Sequence, residues 1–277
     1  MNLHHDPFAV FGQSRTPCGL YARRRWRGEG ETESFRRDFS AAVDAILADQ
    51  SPDGHWGHSA LRTARGLFDL HLTVRDRTDP ADRALDWLTS QAEAIFIRNR
   101  TRSEPTVSPI DLGPLPFVGS RNDVFVTSAA LFLETVMGGG DRPRVLSLYS
   151  RLAAECLDNP RWQADPAALT NILRALAVHP RYREDAAARL IVEKLAEAQG
   201  ADGDWGGRFP TYLTINALAH LPLPEVEPPL TAAFARLQET QSDDGTWGES
   251  HPEWATFLVV HALIQTGHLT PPAHRPA

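Results

Sequence analysis

The sequence predicts an all-α fold that is built from repeated helical hairpins, and three observations support this prediction. A Gln-x-x-x-Gly-x-Trp motif occurs three times, and its copies begin at Gln50, Gln199 and Gln241. Each copy lies between two stretches with the apolar periodicity of an amphipathic helix, as expected for the turn of a hairpin. A helical pattern that contains a threonine, such as Thr214 or Thr256, follows each copy. One supersecondary unit is therefore repeated along the chain.

The motif suits a turn between two helices. In the last copy, Gly245 allows the positive φ at which many helices end, and the preceding Asp243 and Asp244 also favour a turn. We expect the Gln241 side chain to hydrogen-bond the carbonyls that the preceding helix leaves unpaired. Trp247 supplies a large apolar anchor whose indole N–H requires an acceptor. The motif is thus expected to be structural.

Two degenerate copies follow from the period. Because 42 residues separate Gln199 from Gln241, further copies are expected at similar intervals. One begins at Gln91 and another at Cys156, and the latter keeps the tryptophan as Trp162. These two copies lie farther apart than the others, which predicts an insertion at about residues 98–122, inside the second repeat. The many proline and glycine residues of this insertion argue against a helix there.

This pattern of repeats resembles that of the terpenoid cyclase and protein prenyltransferase superfamily, which includes triterpene cyclases of the squalene-hopene type, class II diterpene cyclases and prenyltransferase β subunits. The resemblance extends over about residues 36–267. It implies an α/α-barrel, a toroid of about five to six helical hairpins whose inner helices line a deep apolar cavity. Since five hairpins are recognisable in the sequence, a sixth comes from the N-terminal segment or the ring is incomplete.

On this basis the chain divides into an N-terminal arm at residues 1–34, a stand-alone barrel domain at residues 35–268 and a C-terminal tail at residues 269–277. The arm contains the basic run Arg23–Arg27, which we expect to be solvated. The alternative is that these arginines fold over the barrel mouth and hold a diphosphate. The inserted loop at residues 98–122 is expected to cover the mouth of the cavity.

Composition limits the classes of function. The chain has 28 Lys and Arg against 35 Asp and Glu, and the net charge of −7 argues against non-specific binding to nucleic acid. Two cysteines are too few for a disulfide framework and fit a reducing compartment. No segment has the length and apolarity of a signal peptide or a membrane span. We therefore expect a cytoplasmic protein without an integral membrane span, and the sequence leaves its oligomeric state open.

The resemblance also implies a position for a catalytic acid. Class II cyclases of this superfamily begin their reaction with an Asp-x-Asp-Asp-Thr motif, and alignment on Thr127 places residues 123–126, Asp-Val-Phe-Val, at this position. Phe125 thus replaces the proton donor, and only Asp123 remains of the three acids. Asp123 is either a relocated acid or a helix cap. Glu253 and Asp111 are the other candidates for the acid or base.

The threonine register predicts which side chains bind the substrate. The expected residues are His58, Arg62, Phe125, Tyr212 and Trp254 near the mouth of the cavity, and Asn171, Asn216 and His261 deeper inside. The faces of the aromatic rings among them would stabilise a carbocation. For each single aromatic residue, ordinary core packing is the alternative.

The sequence predicts no cofactor and no metal ion. Zinc-binding prenyltransferases hold the metal through an Asp, a Cys and a His, but neither Cys18 nor Cys156 stands beside an acid at that spacing. The magnesium sites of class I terpene synthases need an Asp-rich helix. The adjacent pair Asp243 and Asp244 belongs to a turn instead.

Our leading hypothesis is a terpenoid cyclase-like enzyme, an isomerase or lyase that binds a hydrophobic prenyl or polyene substrate and directs its cyclisation or rearrangement. A second hypothesis is a cyclase or isomerase for a non-terpene biosynthetic intermediate, with His261 or Tyr212 as the general acid or base. A third is a non-catalytic barrel that binds a lipid or a protein. The first requires a sealed apolar cavity with one dry carboxyl, the second a more polar cavity, and the third a filled barrel or an exposed apolar patch.

Overall fold

The computed structural model describes residues 3–98, 110–120 and 122–274, and this part of the chain is helical apart from one short strand pair. The helices are α1 (Pro17–Arg25), α2 (Glu33–Ala48), α3 (Ala60–Thr73), α4 (Asp79–Arg98), α5 (Asn122–Val136), α6 (Pro143–Asp158), α7 (Pro160–Gln163), α8 (Pro166–Val178), α9 (Ala186–Ala198), α10 (Thr211–Leu218), α11 (Glu227–Glu239) and α12 (Pro252–Gln265). Strands β1 (Ile110–Asp111) and β2 (Val118–Gly119) pair antiparallel between α4 and α5. The all-α prediction is confirmed.

Each intact motif forms the turn between two helices, namely α2 and α3, α9 and α10, and α11 and α12. In all three turns the indole Nε1 donates to the carbonyl ten residues earlier, near the end of the preceding helix. These bonds measure 2.8 Å for Trp56, 2.9 Å for Trp205 and 2.8 Å for Trp247. The tryptophan therefore anchors the turn to the preceding helix and satisfies its own N–H at the same time.

The motif glutamine has a different role from the predicted one. The expected partners were the unpaired carbonyls of the preceding helix, but Nε2 of Gln199 donates to Gly203 O in its own turn at 2.9 Å. It also donates to Pro229 O in the first turn of α11 at 3.0 Å. Gln50 makes the same two kinds of bond, the second to the start of α4. The glutamine thus ties its turn to the beginning of the hairpin that follows.

In the last motif the N-terminal segment takes the place of a following hairpin. Nε2 of Gln241 donates to Gly245 O at 3.1 Å and to His5 O at 3.0 Å. Oε1 of Gln241 accepts from the backbone N–H groups of His4 at 3.0 Å and His5 at 3.1 Å. Gly245 has a φ of +85°, and a Cβ there would lie only 2.4 Å from Asp6 O. The last turn and the start of the chain are therefore in close backbone contact.

Six helices contact one another in series. α3 packs against α1 and α5, α8 packs against α5 and α10, and α12 packs against α10 and α1. The threonines at the starts of two of these helices receive the backbone N–H of the motif tryptophan. Trp56 N donates to Thr63 Oγ1 at 3.1 Å, and Trp247 N donates to Thr256 Oγ1 at 3.0 Å. In the remaining intact motif, Trp205 N donates to Asp204 Oδ1 at 2.7 Å instead, so the bond to the threonine belongs to the first and last motifs.

The remaining long helices pack against this series. α2 contacts α1 and α3, α4 contacts α3 and α5, α6 contacts α5, α8 and α9, and α11 contacts α9 and α10. Of the helices in the described ranges, none is long and apolar enough to cross a membrane.

Helix α1 packs into the core, so the basic run is solvated only in part: Arg24 and Arg25 are exposed as predicted, whereas Arg23 and Trp26 are buried. Cys18 and Trp26 are buried, and the guanidinium-bearing Arg23 is only 3% exposed. Arg23 Nε donates to Glu29 Oε2 and Arg23 Nη1 to Asp38 Oδ2, both at 2.9 Å. Two carboxylates compensate the charge of Arg23, so this side chain is buried although the charge pattern predicted that it would be exposed to solvent. The expected boundary at residue 34 therefore does not separate an arm from the core.

Only part of the predicted loop at residues 98–122 falls in the described ranges, since residues 99–109 and 121 lie outside them. The described part packs inward, with Leu115, Phe117 and Val118 buried. Asn171 of α8 holds it in place. The side-chain Oδ1 of Asn171 accepts from Val118 N at 3.0 Å, and Nδ2 donates to Val118 O at 2.9 Å. The described residues before α5 therefore pack into the core and are fixed to α8.

Candidate functional site

One cavity receives side chains from all six helices of the contact series, α1, α3, α5, α8, α10 and α12. Its volume is about 260 Å³, and Pro116 from the segment before α5 adds to its wall. We call this space the central cavity. Its lining combines an aromatic surface with a group of nitrogen-bearing side chains.

The aromatic surface consists of five rings from four helices, Tyr21, Phe68, Phe132, Trp254 and Phe257. Phe257 stacks on Trp254 with ring centroids 5.4 Å apart and an interplanar angle of 13°. Phe68 meets Trp254 edge to face at 5.8 Å. Such a surface favours the apolar body of a ligand.

Three histidines line the central cavity. Burial lowers the pKa of His71 and of His220 to about 3 and that of His261 to about 4, and the nearby charges of Arg75 and Arg174 add to this effect. All three rings are therefore neutral at neutral pH. Nδ1 of His71 and Nδ1 of His261 are buried without a hydrogen-bond partner, and the rings of His220 and His261 lie 5.2 Å apart. No group of three or more His, Cys, Asp or Glu side chains in the described ranges is arranged to hold a metal ion.

Arg174 places a guanidinium in the wall of the central cavity. It is 3% exposed, and its hydrogen-bond partners are neutral: Nη1 donates to Asn216 Oδ1 at 2.7 Å and Nη2 to Leu213 O at 2.8 Å. Its Nε has no partner. Asn216 is itself fixed, because its Nδ2 donates to Leu258 O at 2.9 Å. Burial lowers the pKa of Arg174 to about 9, so the side chain is still charged at neutral pH.

Arg75 supplies a second guanidinium. It follows the end of α3 with a φ of +65°, which is uncommon for a residue other than glycine. Its Cζ lies 5.4 Å from the centroid of the Tyr21 ring, a cation–π contact. Within residues 3–98, 110–120 and 122–274, neither Arg75 nor Arg174 forms a salt bridge, and no Asp or Glu lines the central cavity. The cavity thus carries two cationic groups that no carboxylate of the described chain neutralises.

A second cavity of about 460 Å³ adjoins the central cavity and shares Leu72 and Trp254 with it. Asp69 of α3 lines this adjoining cavity. Burial raises the pKa of Asp69 to about 7, and the charge of Arg65 opposes the shift only in part. The carboxyl of Asp69 is therefore partly protonated at neutral pH.

Glu253 also lines the adjoining cavity, where one of its oxygens is occupied by donors from the N-terminal segment. Oε1 accepts from Ser14 Oγ at 2.5 Å, from Thr16 Oγ1 at 2.7 Å and from Cys18 Sγ at 3.8 Å. Burial raises the pKa of Cys18 to about 12, and the negative charge of Glu253 adds to this. Cys18 is thus a thiol at neutral pH, and Glu253 joins the start of α12 to the start of α1.

The structure places three of the predicted site residues, Asn216, Trp254 and His261, in the wall of the central cavity. Tyr212 and Asp111 line a different cavity of about 320 Å³, which shares Trp254 and Leu258 with the central cavity. Asp111 Oδ2 lies 3.9 Å from His251 Nε2 there, and Asp111 Oδ1 accepts from Gly113 N at 2.7 Å.

Asp123 and Phe125 are not among the residues that line the central cavity. Both lie in the first turn of α5, where Asp123 Oδ1 accepts from Val124 N at 3.0 Å. Phe125 packs edge to face against Phe117 with centroids 6.1 Å apart. Asn171, predicted to bind substrate, holds β2 instead. Asp123, Phe125 and the strand that Asn171 holds are therefore packed within the protein and are not exposed in the central cavity.

His58 lies in the turn between α2 and α3 and Arg62 in the first turn of α3, and both are exposed. The His58 ring lies 3.8 Å from the ring of His55. These residues were expected at the mouth of the central cavity because they follow the first motif closely. The indole of Trp56 donates to Ile46 O of α2, so the turn that carries His58 is anchored to α2.

Sequence reasoning missed most of the nitrogen-bearing group, although a signal for it exists. Five helices each place a lining residue four to six positions after their threonine, and these residues are Phe68, Phe132, Arg174, His220 and His261. This spacing is one helical turn or slightly more, so these side chains lie deeper along the same helices than the predicted mouth residues. Counting from the threonine into the helix would have found Arg174 and His220.

In comparisons with known proteins, the sequence matches no family model and no curated protein. The geometry and charge of the cavities are therefore what distinguish the functional hypotheses.

Proposed function

We propose that the six contacting helices are the inner ring of an α/α-barrel and that α1 is its sixth member. Two observations support this arrangement. Each of the six helices contacts two others of the set, with α1 between α3 and α12. The last motif also binds the N-terminal segment as the earlier motifs bind the next hairpin, through Gln241. In such a ring the central cavity lies where substrate-binding residues were expected.

In this proposal the protein is an enzyme, and its active site is the central cavity. The reaction is a proton transfer on a small, largely apolar substrate, as in an isomerase or a lyase. The observation that carries the proposal is the group of three neutral histidines in a cavity whose described lining contains no carboxylate. Neutral imidazoles are bases, and His261 lines the cavity, where its ring can accept a proton.

The chemistry follows from that role. His261 removes a proton from a substrate carbon, and the electron pair of the broken C–H bond forms a new double bond. In an isomerase a neighbouring double bond of the substrate breaks at the same time, and its electron pair binds the proton that His261 returns to a different carbon. In a lyase a leaving group departs with the electron pair of its own bond, and His261 passes its proton to water. The aromatic surface made by Phe257 and Trp254 holds the apolar body of the substrate during this step.

This reading favours the second hypothesis, a non-terpene intermediate, over cyclisation of a long polyene. The cavity volume of about 260 Å³ lies below the usual range of ligand pockets, which begins at ~300 Å³. The charges of Arg75 and Arg174 would also raise the energy of a carbocation next to the aromatic rings. The carboxyl candidates Asp123 and Asp111 do not line this cavity.

Hydrogen exchange tests the proposal directly. Purified protein is incubated in D₂O with a panel of unsaturated carboxylic acids of six to ten carbons, geranyl diphosphate, farnesyl diphosphate and squalene, and deuterium in the recovered compounds is measured by mass spectrometry. We expect wild type to incorporate deuterium into at least one small compound and His261→Gln to be about 100-fold slower. His268→Gln is the matched control, because His268 is exposed after the end of α12. Equal exchange by wild type and His261→Gln would contradict the assigned base.

A second candidate function is supported by Asp69. A partly protonated carboxyl is the kind of acid that begins a cyclisation, and the cavity lined by Asp69 adjoins the aromatic surface at Trp254. The same panel distinguishes the two functions. A cyclised product that Asp69→Asn abolishes and His261→Gln retains would favour acid-initiated cyclisation. Binding without turnover in every case would favour the third hypothesis, a non-catalytic barrel.

A further inference from the structure

We propose that the ligand of the central cavity is an organic anion, whose carboxylate or phosphate group binds to Arg174 and Arg75 while its apolar part lies against the aromatic rings. This inference rests on the proposed function for the location of the site, and it adds the chemical class of the substrate.

Two equally buried arginines differ in their hydrogen-bond partners. Arg23 and Arg174 are each 3% exposed. Arg23 forms salt bridges to Glu29 and Asp38 at 2.9 Å. In the part of the chain that the structure describes, Arg174 has only a side-chain amide and a backbone carbonyl as partners, and its Nε is left over. A buried guanidinium without a counter-charge is costly, and an anion in the cavity would supply that charge.

The polar groups that share the cavity wall with His261 come from several structural elements. They are Tyr21 from α1, His71 and Arg75 at the end of α3, Arg174 from α8, and His220 following α10. The lining residues of α5 are Phe132 and Val136, which carry no charge. Arg75 and Arg174 bring two positive charges, burial keeps the three histidines neutral, and no carboxylate of the described chain lines the cavity, so the field inside it is positive.

The size and the lining of the central cavity fit an anion with a short apolar body. The cavity volume of about 260 Å³ is close to the lower end of the range for ligand pockets, ~300 Å³. One aromatic ring or a short branched chain with one anionic group fills such a space. A guanidinium binds carboxylate and phosphate by the same two-point hydrogen bonding, so the structure indicates their shared chemistry.

Anion binding has a consequence for protonation. A negative charge near His261 favours the imidazolium form and raises the pKa of the ring, which is about 4 in the empty cavity. Binding therefore takes up protons, and by linkage the affinity for the anion rises as the pH falls. The same effect makes His261 a stronger base once the substrate is bound.

Isothermal titration calorimetry with three probes of similar size tests the inference: phenylacetate, phenyl phosphate and the neutral 2-phenylethanol. We expect at least one anion to bind at least tenfold more tightly than 2-phenylethanol, and the affinity for phenylacetate to increase as the pH falls from 7 towards the His261 pKa of about 4. The tighter of the two anions identifies carboxylate or phosphate as the preferred group. If neither anion binds more tightly than the alcohol, the inference is wrong.

Arg75→Gln should weaken anion binding at least tenfold and leave the binding of 2-phenylethanol unchanged. The matched control is Arg24→Gln, because Arg24 also lies over an aromatic ring, with Cζ 6.0 Å from the centroid of Phe39, but is exposed and outside the cavity. This pair removes the same charge from the chain. Arg174→Gln is the second variant, and if it does not fold, the Arg75→Gln result decides. Equal anion affinity in Arg75→Gln and Arg24→Gln would overturn the inference.

The calorimetric result is independent of turnover, so the two proposals fail separately. Anion binding that depends on Arg75, without deuterium exchange on any substrate, would retain the anion site and reject the proton-transfer enzyme. Deuterium exchange on a neutral compound, without anion binding, would retain the enzyme and reject the anion site.

Discussion

Substitution of Gly245 by alanine tests the contact between the last motif and the start of the chain. Gly245 has a φ of +85°, so alanine costs about 1–2 kcal/mol from backbone strain alone. Its Cβ would also lie 2.4 Å from Asp6 O and 2.9 Å from Asp6 C, so the N-terminal segment must move. Movement disrupts the bonds of Gln241 to His4 and His5, each worth about 0.5–1.5 kcal/mol. We expect the free energy of unfolding to fall by at least about 3 kcal/mol, measured by urea denaturation with tryptophan fluorescence.

Gly267→Ala is the matched control for backbone strain. Gly267 has a φ of +75°, and no atom lies within 4 Å of the Cβ position. Alanine there should cost only the conformational penalty of about 1–2 kcal/mol. The difference between the two variants isolates the contact with the N-terminal segment. A difference smaller than about 0.5 kcal/mol would show that the last turn does not hold the start of the chain and would remove one support for ring closure.

Two further predictions concern other parts of the structure. Because burial raises the pKa of Asp69 from 3.8 to about 7, the folded state holds a proton that the unfolded state releases, so this carboxyl removes at most about 4 kcal/mol of stability between about pH 4 and pH 7. The three histidines with lowered pKa values add stability over the same range, so the prediction concerns the difference between wild type and Asp69→Asn. Asp69→Asn should lack this loss in urea unfolding across that range, and parallel pH profiles would contradict the shift. Trp205→Phe leaves Leu195 O without its 2.9 Å hydrogen bond and should lower the free energy of unfolding by about 2 kcal/mol. Trp87→Phe should have a smaller effect, because the Trp87 indole makes no hydrogen bond in the described ranges and is only partly buried.

The hairpin turns could be predicted from the sequence because their determinants are local. The motif glycines take a positive φ of 93° at Gly54, 82° at Gly203 and 85° at Gly245, as a helix-ending turn requires. The indole bonds also join residues only ten positions apart. The partner of the glutamine was mistaken, because the bond to Pro229 crosses 30 residues to the next hairpin. Contacts between repeats have no local signature in one sequence.

The inward packing of α1 was missed for a different reason. A run of arginines in sequence indicates solvent, since a buried guanidinium needs compensation. Arg23 receives that compensation from Asp38, which lies 15 residues away in α2. The pairing depends on how α1 and α2 pack, so composition alone could not reveal it.

The residues that hold the frame and the residues that line the central cavity are separate sets, which bears on why Arg174 is charged. The motif bonds at Trp56, Trp205 and Trp247 do not involve the cavity lining. Arg174 stands four residues after its threonine, where the neighbouring helices α5 and α10 carry Leu131 and Leu218, so the frame itself accepts an apolar side chain at that position. A buried guanidinium whose hydrogen-bond partners are all neutral lowers the stability of the protein as long as no anion is bound. A residue that weakens the fold, in a position where the fold accepts an apolar side chain, is best explained by a function of the cavity, and binding an anion is the function that would recover the lost stability.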